Sequence, residues 1–433
     1  MTGLIDCDNF FCSCERVFRP DLAHTPIVVL SNNDGCVVAR SAEVKAMGIP
    51  ECLPYFKLRE AYPRAGIVAF SSNYSLYADM SARVMAVLRE EVPDVMQYSI
   101  DEAFLNLDGI PEDSLKGWGE RLAAKVRKCT GIPVSLGIAP NKTLAKIASK
   151  FAKRWPAYNK CCAMLTDGQR LKALSLFDAG DVWGIGPRTA AKLTSIGIHT
   201  ALQYASLSGQ LVRRMFHLPG FQTWLELNGH DTISTEAMEG TPRKTIVTSR
   251  SLPEMISDIA QLSAHVANYA ARCAAKLRRQ RSVCSMVSVF AESNRFRADL
   301  RQSSTNGAYT FATPTASTTE IVEAALGILP AIFRQGILYK RAGVMVAGIS
   351  SDRAIQPDLF TYSPARSGKL RQVSTAIDDV NRRWGADTVG LASQQYSGLR
   401  PDGRRPKFVD AIRRDLMSPP YSTTMSAFEI CPR

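Results

Sequence analysis

Two acidic clusters, 95 positions apart (6 to 101), each adjoin apolar runs of strand length, and they restrict the folds open to this chain more than any other feature. The first, Asp6-Cys7-Asp8-Asn9-Phe10-Phe11, closes the run that begins at Gly3. The second, Asp101-Glu102, separates Gln97–Ile100 from Ala103–Leu107 with nothing else between them. Such runs read as buried strands, so Asp101 and Glu102 sit at a tight hairpin or kink. Carboxylates at neighbouring strand ends can converge to chelate a hard divalent cation, which prefers oxygen ligands. Two such ions about 3.5–4 Å apart would clamp the attacking and leaving oxygens of an in-line phosphoryl transfer. Acidic residues at strand ends are equally often solvated turn residues, and the pattern alone leaves both readings open.

The clusters lie in a first stretch of 170 residues that alternates strands (Gly3–Cys7, Ile27–Ser31, Pro133–Ile138) with helices (Tyr77–Glu91, Leu115–Thr130) whose apolar residues recur every three or four positions. This predicts an α/β sheet domain interrupted near 33–73 by a loop-rich insertion. Residues 170–235 read as short helices. Within them Gly184-Ile185-Gly186 precedes the helix Thr189–Ser195, where backbone N–H groups suit a phosphate, although glycine there is also an ordinary helix cap. The stretch 240–350 predicts a separate α+β domain with helices Met255–Arg281 and Thr319–Gln335 and strands Ser285–Ala291 and Gly343–Ile349. From 352 onward periodicity fades and a partly ordered tail is expected.

A chain of 433 residues exceeds one compact core. No apolar run approaches the roughly 20 residues that span a bilayer, and Met1–Asp6 lacks the regions of a signal peptide, so a cytoplasmic location is expected. Eleven cysteines without C-x-x-C spacing argue against a disulfide framework and a zinc site. The net charge of +13 is unevenly spread: residues 1–239 hold 26 Lys+Arg against 25 Asp+Glu, whereas 240–351 hold 14 against 6. A basic domain after a nearly neutral one suits a grip on a polyanion beside a separate centre of chemistry.

Several stretches together resemble the Y-family of translesion DNA polymerases, specifically its UmuC-type branch. They are DCDNFFCSCERVFRPDL (6–22), VVLSNNDGCVVARSAEVKAMG (28–48), FSSNYSLYADMS (70–81), YSIDEAF (98–104), GIAPNKTLAKIASK (137–150) and DVWGIGPRTAAKL (181–193). The resemblance implies an α/β and α+β multidomain fold, a right-hand polymerase. Its parts would be a palm (1–32 and 74–170), small fingers (33–73), a helix-hairpin-helix thumb (171–235), a DNA-binding little finger (240–351) and a C-terminal tail (352–433). It also implies that Asp6, Asp101 and Glu102, with the backbone carbonyl of Cys7, hold two Mg2+ ions, for which Mn2+ can substitute. Phe11 falls at the steric gate that excludes a 2′-hydroxyl, and Lys45 and Lys146 fall where basic residues hold the incoming dNTP. Small residues in the fingers (Ser31, Gly35, Ala39, Ala42, Ala46, Gly48) imply loose closure on the nascent pair and tolerance of distorted template bases.

Primer-template DNA would be held by Gly184 and Gly186 and by the basic run Arg278, Arg279 and Arg281. Gln356-Pro-Asp-Leu359-Phe360 resembles the motif by which bacterial polymerases bind the sliding clamp. A cleaved UmuD-like dimer and a RecA filament are the further partners implied. Two departures stand out: Ala42, where many of the wider family carry Tyr, and Asp8, where UmuC relatives often have Asn. A two-metal nuclease has no use for a sugar gate. An NTPase motor would need a G-x-x-x-x-G-K-[ST] loop, which is absent. A non-catalytic DNA-binding scaffold of the same fold is the remaining alternative, and retention of all three carboxylates speaks against it.

Overall fold

The computed structural model describes residues 1–234, 242–360, 362–385, 387–395, 414–419 and 421. They form two units, 1–236 with 414–433, and 237–413.

In chain order the first unit contains β1 (Thr2–Cys7), α1 (Phe10–Phe18), β2 (Ile27–Leu30), β3 (Val37–Arg40), α2 (Ala42–Ala46), α3 (Tyr55–Ala61) and β4 (Val68–Ser71). There follow α4 (Tyr74–Glu91), β5 (Val95–Gln97), β6 (Glu102–Asn106), α5 (Glu112–Thr130), β7 (Val134–Ala139), α6 (Lys142–Arg154) and β8 (Cys161–Ala163). The helices α7 (Asp167–Leu176), α8 (Pro187–Ser195), α9 (Ala201–Ala205) and α10 (Gly209–Leu227) complete it. Five strands form a sheet in the order β5-β6-β1-β7-β8, with β1 antiparallel to both neighbours. β1 takes the centre because Leu4, Ile5 and Cys7 are buried on both of its faces, the mark of a covered strand. Leu4 packs with α6 and the helices after it, and Ile5 with α4 and α5.

Gly137 on β7 sets how closely α6 lies on the sheet. A Cβ there would stand 2.1 Å from the amide nitrogen of Ser149 and 2.2 Å from the carbonyl oxygen of Ala145. Only glycine lets backbone meet backbone so closely. At its N-terminus α6 is held by its Asn141 cap and by the buried Glu226 of α10, which accepts from the Thr143 amide.

β2 pairs with β3 and β4 in a small sheet of its own. Its alternation explains this: Ile27 and Val29 face the main core while Val28 and Leu30 face the core of the insertion, so one strand serves both.

The second unit contains β9 (Ile246–Ile256), α11 (Ile259–Arg279), β10 (Ser282–Ser293), β11 (Ser304–Thr315), α12 (Thr318–Ile332), β12 (Tyr339–Ser351) and α13 (Pro364–Trp384). Its antiparallel sheet runs β11-β10-β12-β9, and α11 and α12 share its core. Met255 belongs to β9 and not to the helix expected over Met255–Arg281. Pairing of Ile256 with Tyr339 extends the strand, and Asp258 then caps α11 by accepting from Ala260 and Gln261. The region expected to be a partly ordered tail holds the 21-residue α13. Residues 414–419 and 421 belong to the first unit. All ten described cysteines are free thiols, and among the described residues no helix is long and apolar enough to cross a membrane.

Candidate active site

The antiparallel register of β1 and β6 sets Asp6 directly opposite Glu102. Directly opposed residues have Cβ atoms about 4.5–5.5 Å apart, and like charges there repel. Asp101 adjoins them, its carbonyl accepting from the Cys7 amide at 2.9 Å. Ser99 shapes the turn: its Oγ accepts from the amides of Asp101 (3.1 Å) and Glu102 (3.0 Å) and donates to Asp101 Oδ1. The two acidic clusters therefore meet at one sheet end, as strand-end carboxylates can.

The cations beside them come mainly from α6. Lys146 Nζ lies 3.0 and 3.1 Å from the two oxygens of Glu102 and 4.5 Å from the centre of the Tyr98 ring. Two turns later Lys153 Nζ pairs with Asp6 and lies 3.8 Å from Asp8. Burial pushes the Asp6 carboxyl up to about 6 against the pull of Lys153, and Glu102 and Asp101 add to the rise. Burial alone would lower Lys153, but attraction to Asp6, Asp8 and Asp101 outweighs it and raises the ammonium. Lys153 was not singled out in the sequence. Its signal was the seven-residue interval from Lys146, which puts both on one face of α6.

Asp8 turns to other partners, accepting from Lys160 at 2.9 Å and from Ser135 Oγ at 2.9 Å. Lys45 is exposed and donates to Asn9 Oδ1 at 2.6 Å. Desolvation of its ammonium end, and to a lesser degree the Lys153 and Arg40 cations, lowers its pKa. Phe11, in the first turn of α1, is half-buried, stacked on Tyr77 (centroids 4.4 Å, 14°) and edge-on to Tyr74 at 6.1 Å.

Among the described residues no three His, Cys, Asp or Glu side chains enclose a metal position. Asp6 and Glu102 face each other at the strand end with Asp101 beside them, and lysines are set against Asp6 and Glu102. An oxygen-only donor set whose like charges face each other across two strands nonetheless fits a hard divalent cation.

The other candidate positions are dispersed. Gly184 (φ +89°) and Gly186, the N-cap of α8, lie in the first unit, and a side chain at Gly184 would strike Thr223. Arg279 and Arg281 are exposed. Arg278 corrects an expectation: it pairs doubly with Asp378 of α13 (2.6 and 2.7 Å) and donates to the Ala316 carbonyl and Thr318 Oγ1. Four of its five N–H groups are thus engaged inside the unit. Leu359 and Phe360 are 91% and 92% exposed, and the chain before them is held by the Asp358 amide donating to Thr313 Oγ1.

Residues 5–150 match the impB/mucB/samB family, and residues 243–359 match the C-terminal domain of that family. The chain is 40% identical to protein UmuC of Salmonella typhimurium (strain LT2) over 98% of this chain and 99% of UmuC. It is 39% identical to protein ImpB of Salmonella typhimurium over 98% of this chain and 97% of ImpB. A solved Y-family DNA polymerase chimera has a TM-score of 0.64 to this chain over 81% of its length and 99% of the chimera's, at 20% identity, a likeness of fold. Full-length identity of this order shows that the chain belongs to the impB/mucB/samB family, the UmuC-type branch of the Y-family DNA polymerases.

Proposed function

We propose that this chain performs error-prone lesion bypass: it joins a dNTP to a primer 3′-hydroxyl opposite a damaged template base and releases pyrophosphate. The carrying observation is the opposition of Asp6 to Glu102, with Asp101 adjoining, beside a row of ammonium groups. In this reading Asp6, Asp101, Glu102 and the Cys7 carbonyl hold two Mg2+ or Mn2+ ions. Such ions, when bound, stabilise charge on the transferring phosphoryl group and activate the attacking oxygen. Lys153, Lys45 and Lys146 receive the triphosphate. Their charge is fixed in place before the reaction, so little reorganisation accompanies the charge that develops. Lys153 pairs with Asp6 and Lys146 with Glu102, which offsets the repulsion between the two carboxylates.

Phe11 acts as the sugar gate. Its ring is backed by Tyr77 and so resists displacement by a 2′-hydroxyl. The five-stranded sheet corresponds to the palm, the small sheet to the fingers, α7–α10 to the thumb and the second unit to the little finger. Gly184, Gly186, Arg279 and Arg281 contact DNA, and Gln356, Leu359 and Phe360 dock on a sliding clamp. A UmuD-like dimer and a RecA filament are the further partners, in a bacterial cytoplasm.

Primer extension by purified protein tests the reading. Asp101→Ala and Glu102→Ala should each abolish nucleotide addition while leaving primer-template affinity within about twofold, since a metal-ligating carboxylate contributes several kcal/mol to the transition state. Extension at the parent rate by Asp101→Ala would remove the carboxylate assignment.

A further inference from the structure

The segment of residues 414–419 and 421 is built into the first unit. Leu416 and Ser71 bond twice: the Ser71 amide donates to the Leu416 carbonyl at 3.0 Å and the Leu416 amide donates to Ser71 Oγ at 3.0 Å. The Leu416 side chain packs on the core of the small sheet, and the Asp415 amide donates to Asp34 Oδ2 at 3.1 Å. Ser418 is buried, accepts from Asn73 Nδ2 at 3.0 Å and donates to Glu15 Oε1 at 3.4 Å. Tyr421 stacks on Phe18 with centroids 4.5 Å apart and planes within 6°.

These contacts converge on residues behind Phe11. Glu15 is fully buried on α1, one turn beyond Phe11. The same Glu15 Oε1 that accepts from Ser418 accepts from the Tyr77 hydroxyl at 2.8 Å. Tyr77 carries the ring on which Phe11 is stacked. Asn73, which Ser418 also touches, caps α4 by accepting from the Leu76 amide, and α4 carries both Tyr74 and Tyr77. An unbroken set of contacts therefore runs from the segment through Glu15 and Tyr77 to the Phe11 ring.

We propose that this segment fixes the position of Phe11, making Ser418 and Tyr421 positioning residues for selection of the nucleotide sugar. The inference rests on the reading of Phe11 as the sugar gate. A gate that excludes one hydroxyl works only if its ring cannot yield by a fraction of an ångström. Phe11 is half-buried, so core packing does not hold it on every side, and Tyr77 supplies the stacked wall behind it. Tyr77 is in turn anchored by a buried carboxylate. Removing a donor from a buried carboxylate leaves an unsatisfied acceptor, which must shift or draw in water. The Tyr77 anchor then loosens, and with it the wall behind the gate.

The test is the ratio of kcat/KM for dNTP to that for the matching rNTP, measured on the full chain with primer-template and Mg2+. Ser418→Ala with Tyr421→Ala should lower this ratio by roughly tenfold, within the 10- to 200-fold that a shaped apolar wall provides against one added group. Tyr77→Phe keeps the ring and removes only its hydroxyl, and should lower the ratio similarly. Combining it with Ser418→Ala should add little, because both act through Glu15. Ser418→Ala alone, a small change, guards against loss of fold and should shift the ratio in the same direction. A parental ratio in the segment variants, alongside a lowered ratio in Phe11→Ala, refutes the coupling and leaves the gate standing. A parental ratio in Phe11→Ala as well removes the gate reading and the coupling with it. Equal loss of activity toward both sugars would assign the segment to stability alone and overturn the proposal.

Discussion

Replacing Gly137 with alanine should disable the active centre from behind, without touching any candidate active-site side chain. The added Cβ would lie 2.1–2.2 Å from backbone atoms of Ser149 and Ala145, where ordinary contact begins at 3.4 Å. Neither neighbour is the end of a flexible side chain, so α6 itself must withdraw, by about 1 Å if the strain is shared with β7. Lys146 and Lys153 move with it, on the face that meets Glu102 and Asp6. Overpacking of this kind costs about 1–3 kcal/mol, which lowers Tm by a few degrees in a unit of this size, at roughly 2–4 °C per kcal/mol. A misplacement of about 1 Å near the reacting groups can reduce turnover by about a hundredfold. Thermal unfolding and single-turnover dNTP insertion, the latter well below Tm, separate the two effects. A folded Gly137→Ala protein that inserts dNTP at the parental rate would refute the claim that this close approach positions the lysines.

Four other outcomes are expected. Lys153→Ala should lower kcat/KM for dNTP by about a hundredfold, as loss of one preorganised group that stabilises transition-state charge does; an unchanged value would make this lysine a structural counter-ion. Neutralising Arg279 and Arg281 should flatten the slope of log K against log salt on duplex DNA, by about 0.9 for each phosphate that the arginines had neutralised. Arg278→Ala should leave that slope alone and instead expose α13 to limited proteolysis, because it strands Asp378. Changing Gln356, Leu359 and Phe360 to alanine should remove clamp-stimulated synthesis and spare the basal reaction. Two adjacent apolar side chains more than nine-tenths exposed are suited to anchoring in a partner's pocket, and equal stimulation of mutant and parent would refute the docking role.

The site was legible in the sequence where chemistry and periodicity coincide. Strands β1 and β6 lie within a residue of their expected bounds because apolar runs ending in Asp and Glu leave little choice of register. Features that depend on distant partners were not legible. The charged, largely exposed α13 has little apolar periodicity, and the Arg278–Asp378 pair that holds it joins residues 100 positions apart. That same pair engages Arg278 inside the second unit, although in sequence it is indistinguishable from Arg279. The double service of β2 follows from which core each face meets, and a four-residue apolar run cannot reveal that. Lys153 shows a milder failure, since its interval from Lys146 was visible while its approach to Asp6 required the glycine beneath α6.

The return of residues 414–419 and 421 to the first unit also bears on how the chain is made. The 177 residues of the second unit are inserted between the two pieces of the first. At about 5–20 residues per second on the ribosome, roughly 10–35 s separate the emergence of those pieces. During that interval Glu15 is already enclosed by α1 and α4 but lacks Ser418, and Phe18 lacks its stacked Tyr421. A nascent first unit is therefore incomplete behind Phe11 until residues 414–419 and 421 have emerged. Emergence of that segment, and not formation of the central sheet, becomes the step that completes the packing behind Phe11.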